Sequence, residues 1–233
     1  MRALAATAIL DVWEQSEGRR PWATALLALA AADPELGHDL DAAADLPIGE
    51  RDRRLLRLRA ATCGPRLGAR ATCPACGEEV ELDLDTDDLL AAPPDPAALR
   101  LDPGGVAVEL RLPTSRDLAH AAAAPDPAAA LARACVVAPE GLDLAAWAPA
   151  IEAALAAADP HAEIAVDLAC PACHAEWSEV LDVCDYFTRE LDVLAARLLD
   201  EVDRLARAYG WTEAEVLALG PRRRRHYLER AVV

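Results

Sequence analysis

Two short stretches carry the chemistry of this chain, Cys73-Pro-Ala-Cys76 and Cys170-Pro-Ala-Cys173, with 93 residues between Cys76 and Cys170. A thiolate is a soft anionic donor, and a tetrahedral zinc ion takes four donors, at about 2.3 Å for sulfur. One Cys-x-x-Cys turn supplies two of them from a hairpin tip and turns backbone N–H groups toward the sulfurs. Two facing tips complete the set. Cys73, Cys76, Cys170 and Cys173 are therefore the expected ligands of one structural Zn2+ ion. A redox Cys-x-x-Cys instead wants its first cysteine at a helix N-terminus after a strand. Here strand-like sequence follows both motifs, which favours the metal. Pairing of the two motifs between chains is the alternative.

The copies extend beyond the tetrapeptide. Glu79 and Glu176 each stand three residues past the second cysteine, Asp85 and Asp182 nine past it, and Asp88 and Asp185 twelve past it. The long insertion does not forbid a shared ion. Closing a loop of this length costs roughly 4 kcal/mol, against about 10–16 kcal/mol for structural zinc in peptides.

The motifs need hairpins to aim them. Val80, Leu82 and Leu84 alternate with Glu79, Glu81, Asp83 and Asp85, the period of a strand. "AEIAVDLA" leads into the second motif and "EWSEVLD" leads out. Two halves of a split zinc ribbon follow, 65–90 and 162–184, within a region 65–184. Asp85/Asp88 and Asp182/Asp185 are helix-start signals after each half.

Around them the chain reads as helix. In residues 1–64, Ala23–Ala32 is an apolar helix ended by Asp33-Pro34. In "LPIGERDRRLLRLRAATCG", Leu55, Leu56, Leu58 and Cys63 take an apolar side, and Arg51, Arg53, Arg54, Arg57 and Arg59 the opposite one. Gly64 closes that helix. The insertion, 91–161, opens with a Pro/Gly linker (Ala91–Gly105). A strand follows, with Val106, Val108, Leu110 and Leu112 on one side. Thr114 and Asp117 then open alanine-rich helices broken by Pro125, Pro127 and Pro149.

The region 185–233 is helical. Phe187, Leu191, Leu194, Leu198, Val202, Leu205 and Tyr209 recur by threes and fours, with Asp200–Arg204 and Asp203–Arg207 as i,i+4 pairs. Gly210 ends this helix, Thr212 with Glu215 starts another, and Gly220-Pro221 a last one. The expected class is α+β and predominantly α-helical: a small split zinc-ribbon-like element of two hairpins, a long C-terminal helix and two short terminal helices.

The other reactive residues show no catalytic pattern. Cys63, Cys135 and Cys184 read as buried free thiols, and His38, His120, His161, His174 and His226 as surface residues without ligand spacing. Gly-x-Ser-x-Gly, a phosphate loop and HExxH are absent, so no enzyme reading stands out. The chain carries a formal charge of −17, which argues against nucleic acid or an anionic membrane as partner. The apolar start breaks at Asp11, and no apolar stretch approaches ~20 residues, so the expected location is cytoplasmic. Against the acidic background Arg222, Arg223, Arg224 and Arg225 stand out beside Trp211 and Tyr227. Arginine with aromatics is what interface centres favour, so these six are the candidate partner-binding residues.

The stretch from "CPACHAEWSEVLD" to "PRRRRHYLERAVV" resembles the C-terminal half of T4-type baseplate or baseplate-hub assembly proteins from contractile phage tails and phage-tail-like injection systems. "LPIGERDRRLLRLRAATCGPRL", the first CPACGE and "LRLPTSRDLA" resemble the same family. The most specific part is "LARAYGWTEAEVLALGPRRRRHYLE", where Arg223 and Tyr227 match the pattern. "LDVCDYF" departs from it, standing where the family has a more apolar, phenylalanine-bearing segment. The resemblance implies an assembly factor or minor hub component with tail proteins as partners and a place in a phage-tail-like particle; with no catalytic motif, the expectation is a protein that is not an enzyme. The competing class is a zinc-ribbon nucleic-acid-binding or transcription module. Its tips would have to be basic to grip phosphate, whereas "CPACGEEVELDLD" and "CPACHAEWSEVLD" are acidic.

Overall fold

The computed structural model describes residues 1–90, 99–102, 107–139 and 143–231. Helix and small antiparallel sheets dominate, as expected. Helices α1 (Ala6–Gln15), α2 (Pro21–Ala32), α3 (Leu40–Ala44), α4 (Ile48–Cys63) and α9 (Val183–Tyr209) enclose the main core. Helix α2 is apolar all round, and the structure buries it from Thr24 to Ala30 among α1, α3, α4 and α9. Leu29, Leu55, Leu56, Leu58 and Leu191 are fully enclosed there.

Two hairpins flank this body. β1 (Arg66–Thr72) pairs with β2 (Glu79–Asp85), and β6 (Ile164–Ala169) with β7 (Glu176–Leu181), each closed by one CPAC tip. Their inward residues Leu67 and Ile164 join the main core. Isolated two-stranded hairpins are marginal in water, so this anchorage is what keeps them formed. A short helix α5 (Thr86–Leu89) follows the first hairpin, and α9 follows the second. Asp85 and Asp182 cap them, accepting from Asp87 N and Asp185 N at 2.9 Å in both cases.

Between the hairpins lies a smaller unit with its own core of Val108, Leu110, Ile151 and Ala154. It holds β3 (Arg100–Leu101), β4 (Val108–Leu110), α6 (Ser115–Ala121), α7 (Pro127–Cys135), β5 (Val136–Ala138) and α8 (Leu144–Ala158). The capping box at Thr114 and Asp117 is present. Two readings change here. Arg100 and Leu101, expected in a linker, pair with Glu109 and Val108. Val136–Ala138, expected as helix, completes that sheet, its β-branched pair fitting a pleated edge. Most of the linker, and Val106, lie outside the described residues.

Helix α4 also differs from a one-sided amphipathic helix. Arg51 and Arg59 are buried, at 5% and 4% exposure, Arg53 and Arg54 are half-buried, and Arg57 is exposed. Packed between the body, the insertion and α9, α4 has little solvent face. Arg51 Nε and Nη2 donate to Asp52 Oδ1 and Oδ2 at 2.7 and 3.0 Å, and Nη1 donates to Ser115 Oγ at 3.1 Å. Arg59 makes a bidentate pair with Glu190 of α9, at 2.8 and 2.7 Å. His161, expected on the surface, is buried in the 3₁₀ turn Pro160–Ala162, which packs on α4. Cys63, expected buried, is exposed because it ends α4 beyond the core.

The start of α4 is capped from across the chain. Pro47 offers no side chain to cap with, and buried Asp159 accepts from Gly49 N at 2.8 Å. A Cβ on Gly49 would collide with that carboxylate. Gly→Ala within a helix ordinarily stabilises by up to about 1 kcal/mol. Here Gly49→Ala should instead destabilise by about 3 kcal/mol, through overpacking and a displaced cap. Urea unfolding measures it, and a variant at least as stable as the parent would refute the close approach.

Candidate metal centre and tail surface

The four motif cysteines converge although their motifs lie far apart in sequence. All four Sγ atoms fall within 4.8 Å of one another. Cys73 Sγ lies 3.7 Å from Cys173 Sγ, and Cys76 Sγ lies 3.6 Å from Cys170 Sγ. Both distances are far beyond a disulfide, near 2.05 Å. They match the edge of a tetrahedron with 2.3 Å metal–sulfur bonds, about 3.8 Å. The donor set is four-fold and all sulfur, with no position left for substrate or water. It fits a closed structural site holding a metal ion within one chain.

The tips are the same device twice, offset by 97 residues. Cys73 N donates to Glu78 O at 2.8 Å, and Cys170 N to Ala175 O at 2.9 Å. Gly77 N and His174 N donate to Cys73 O and Cys170 O, both at 2.9 Å. Gly77 has φ +79° and His174 +60°. His174 is thus a side chain on a position whose twin is glycine, at a strain of about 1 kcal/mol. It is exposed and is not one of the converging donors. Cys73 and Cys170 are buried, while Cys76 and Cys173 are exposed.

Electrostatics within the cluster favour a cation. Cys73 is pulled down to about 7: partial desolvation opposes this, but backbone N–H groups of Cys76 and Ala75 and the thiols of Cys173 and Cys76 outweigh it. Cys76 is pushed up to about 12. An N–H from Glu78 works the other way, and the Cys173 and Cys170 thiols prevail. Cys173 is also raised, against the N–H of Ala175, by desolvation and the Cys170 and Cys73 thiols. One thiolate forms readily and resists the next. A bound dication removes that conflict.

The remaining thiols lack such support. Burial raises Cys135 to about 11. Burial and then the Asp52 carboxylate raise Cys184 far above the ordinary thiol range. Both are inert, packed groups.

The six candidate tail residues fall into two roles. Tyr209, Trp211 and Tyr227 form an aromatic trio: Tyr209 and Trp211 stack at 4.8 Å, and Trp211 meets Tyr227 edge-on at 4.9 Å. Helices α10 (Glu213–Leu217) and α11 (Pro221–Leu228) pack on α9, and Leu205 of α9 and Val216 of α10 are fully buried. Arg224 is a strut rather than a docking cation. It is 6% exposed, and it donates to Glu201 Oε2 and to Leu219 O, both at 2.7 Å. Arg222, Arg223 and Arg225 are exposed and make no ion pair among the described residues. The sequence reading missed Tyr209 as part of the trio and Val216 as the anchor. Their spacing around Gly210 held the signal, since an αL glycine folds the chain back on the helix it ends.

On α9 itself the Asp203–Arg207 pair forms at 2.9 Å. Arg204 instead reaches Leu228 O, at 3.4 Å, rather than pairing with Asp200, because α11 lies beside it. No helix among the described residues is long and apolar enough to cross a membrane.

Residues 35–138 match the family model described as T4 bacteriophage base plate protein. This bears out the family resemblance and falls on "LPIGERDRRLLRLRAATCGPRL", the first CPACGE and "LRLPTSRDLA". The second CPAC and the tail lie outside the matched span. No curated protein and no solved structure matches the chain.

Proposed function

We propose that this chain, a T4-type phage baseplate protein by its match over residues 35–138, is a non-enzymatic structural or assembly factor of a contractile phage tail or phage-tail-like injection system. On this reading it acts as a hub component or as a chaperone for one. The observation that carries it is the closed four-cysteine cluster joining two hairpins, on a chain of that family. Such a site has no open coordination position for catalysis and serves as a staple.

The ion in this reading is Zn2+, held by Cys73, Cys76, Cys170 and Cys173. It fastens the hairpin after α4 to the hairpin before α9. That fixes α9 against the body and sets where the tail is presented. Trp211, Arg222, Arg223, Arg225 and Tyr227 form the surface offered to protein partners, with Arg224 holding it in place. The acidic tips disfavour nucleic acid as partner.

Deleting residues 221–233 tests the partner surface. Zinc content and far-UV circular dichroism should stay near parental, since the staple and main core lie elsewhere. Recovery of tail components in pull-downs from cells expressing the whole gene cluster, and particle assembly, should be lost. Normal assembly in the truncated chain would reduce the arginine row to a solvated end.

A further inference from the structure

The 97-residue offset between the hairpins supplies an internal control for surface charge. On the outer face of the first hairpin every arginine has an acid: Arg70 pairs with Glu81 at 3.0 Å, and Arg66 with Asp83 at 2.6 Å. Adding 97 to each position gives the second hairpin. Asp167 stands where Arg70 does, Ser178 where Glu81 does, Glu163 where Arg66 does and Val180 where Asp83 does. Both cations have become carboxylates, and one acid has become an apolar residue.

The result is a face bearing exposed Glu163, Asp167 and Glu176, none with a basic partner among the described residues. Ser178 Oγ donates to Asp167 Oδ1 at 2.5 Å, the one polar partner Asp167 gains in place of an arginine. Beside it Val180 is 57% exposed. In the first hairpin the carboxylates of the matching face are offset by Arg66 and Arg70, and in the second no cation takes that part among the described residues.

The tail presents the reverse surface. Arg222, Arg223 and Arg225 are cations without an acid partner among the described residues, next to the partly exposed trio of Tyr209, Trp211 and Tyr227. Arg224 with Glu201, and buried Leu205 and Val216, pin the tail to α9. Among the described residues no ion pair joins the tail to the second hairpin of the same chain. We propose that the second hairpin of one copy docks on the tail of another, placing Asp167 and Glu176 against Arg222, Arg223 and Arg225, and Val180 against the trio.

This deepens the reading of the tail as a docking surface and rests on it. The overall charge of −17 does not prevent the contact. Repulsion between distant charges is screened within about 8–10 Å at physiological salt, so the facing patches decide. The contact is heterologous and propagates copy to copy, closing into a ring if the rotation allows. A face this small supports weak, concentration-dependent association.

Sedimentation velocity on the purified full-length chain tests it. The parent should associate as its concentration rises, and raising NaCl from about 50 mM to about 500 mM should weaken this at least about tenfold. Arg222→Glu/Arg223→Glu/Arg225→Glu should be monomeric. So should Asp167→Arg/Ser178→Glu, which recreates the neutralised ladder of the first hairpin and so keeps the fold. Mixed, these two variants retain one good tail and one good hairpin between them and should form 1:1 heterodimers without longer species. A parent that stays monomeric throughout, or association that survives tail reversal, would overturn the proposal. A monomeric parent whose 221–233 deletion still loses tail components in pull-down would sink self-docking while leaving the tail as a surface for other proteins.

Discussion

Zinc should fall from one equivalent per chain in the parent to near zero in Cys73→Ser and in Cys170→Ser alike. The two residues sit on different hairpins, so equal loss from either shows one shared ion. Burial differs among the four ligands, but ligand count governs retention: Cys76→Ser and Cys173→Ser, at the exposed positions, should lose metal as fully. Stability should fall by about 4 kcal/mol. The staple closes a loop of about 95 residues, and releasing it returns that entropy to the unfolded chain. The loss stays below the full metal-binding free energy of zinc peptides, because Leu67 and Ile164 keep each hairpin partly docked. Elemental analysis on chelator-free protein and urea unfolding give the two readouts. Zinc retained in either Cys73→Ser or Cys170→Ser would mean separate or intermolecular sites.

The four-cysteine cluster was legible because its information is local and repeated. Each hairpin carries ligands, cap and strand alternation within about fifteen residues, and the second copy repeats them at a fixed offset. A signal of that kind needs no knowledge of what lies across the fold. The long helix was legible for the same reason, its apolar stripe and the glycine that ends it being periodic or adjacent in sequence.

What was not legible depends on neighbours distant in the chain. "ERDRR" at residues 50–54 reads as a solvated charged face, and nothing within it marks Arg51 as buried. Burial of the Arg51–Asp52 pair follows from Ser115 reaching Arg51 from 64 residues away and Cys184 reaching Asp52 from 132 residues away. Gly49 likewise looks like an ordinary weak helix residue until Asp159 approaches it. Arg224 was grouped with three neighbouring arginines of the same type, and only the fold-back of α11 onto Glu201 distinguishes it. Residue type could not separate a strut from a docking cation, because both roles ask for the same guanidinium.

The node around Arg51 yields the second large expected effect. Asp52→Ala should lower stability by about 3–5 kcal/mol, the loss associated with removing one partner of a buried ion pair. Asp52 is 6% exposed. It accepts two bonds from Arg51 and one from Cys184 Sγ, at 3.5 Å. Desolvation works against the Arg51 charge, but the bond to Asp52 and its field outweigh it, so the guanidinium stays charged with its pKa raised. Truncating Asp52 would leave that cation inside the protein with the Ser115 hydroxyl as its remaining side-chain hydrogen-bond partner and only the unbonded Asp182 carboxylate acting on it from nearby. The node also joins three parts of the chain, α4, the start of α6 and the start of α9, so the loss should appear in the global transition and not as local fraying. Two comparisons make the magnitude diagnostic. Arg116→Ala removes pairs with Asp41 and Asp45 at 2.7 and 2.5 Å, but these are exposed and should be worth under about 1 kcal/mol. Arg51→Leu/Asp52→Leu removes both charges together and should recover much of the single-variant loss, since no unpaired charge is left. Urea midpoints for the three variants order the effects. Asp52→Ala costing no more than Arg116→Ala would show that water reaches Arg51, and that the node is a surface pair.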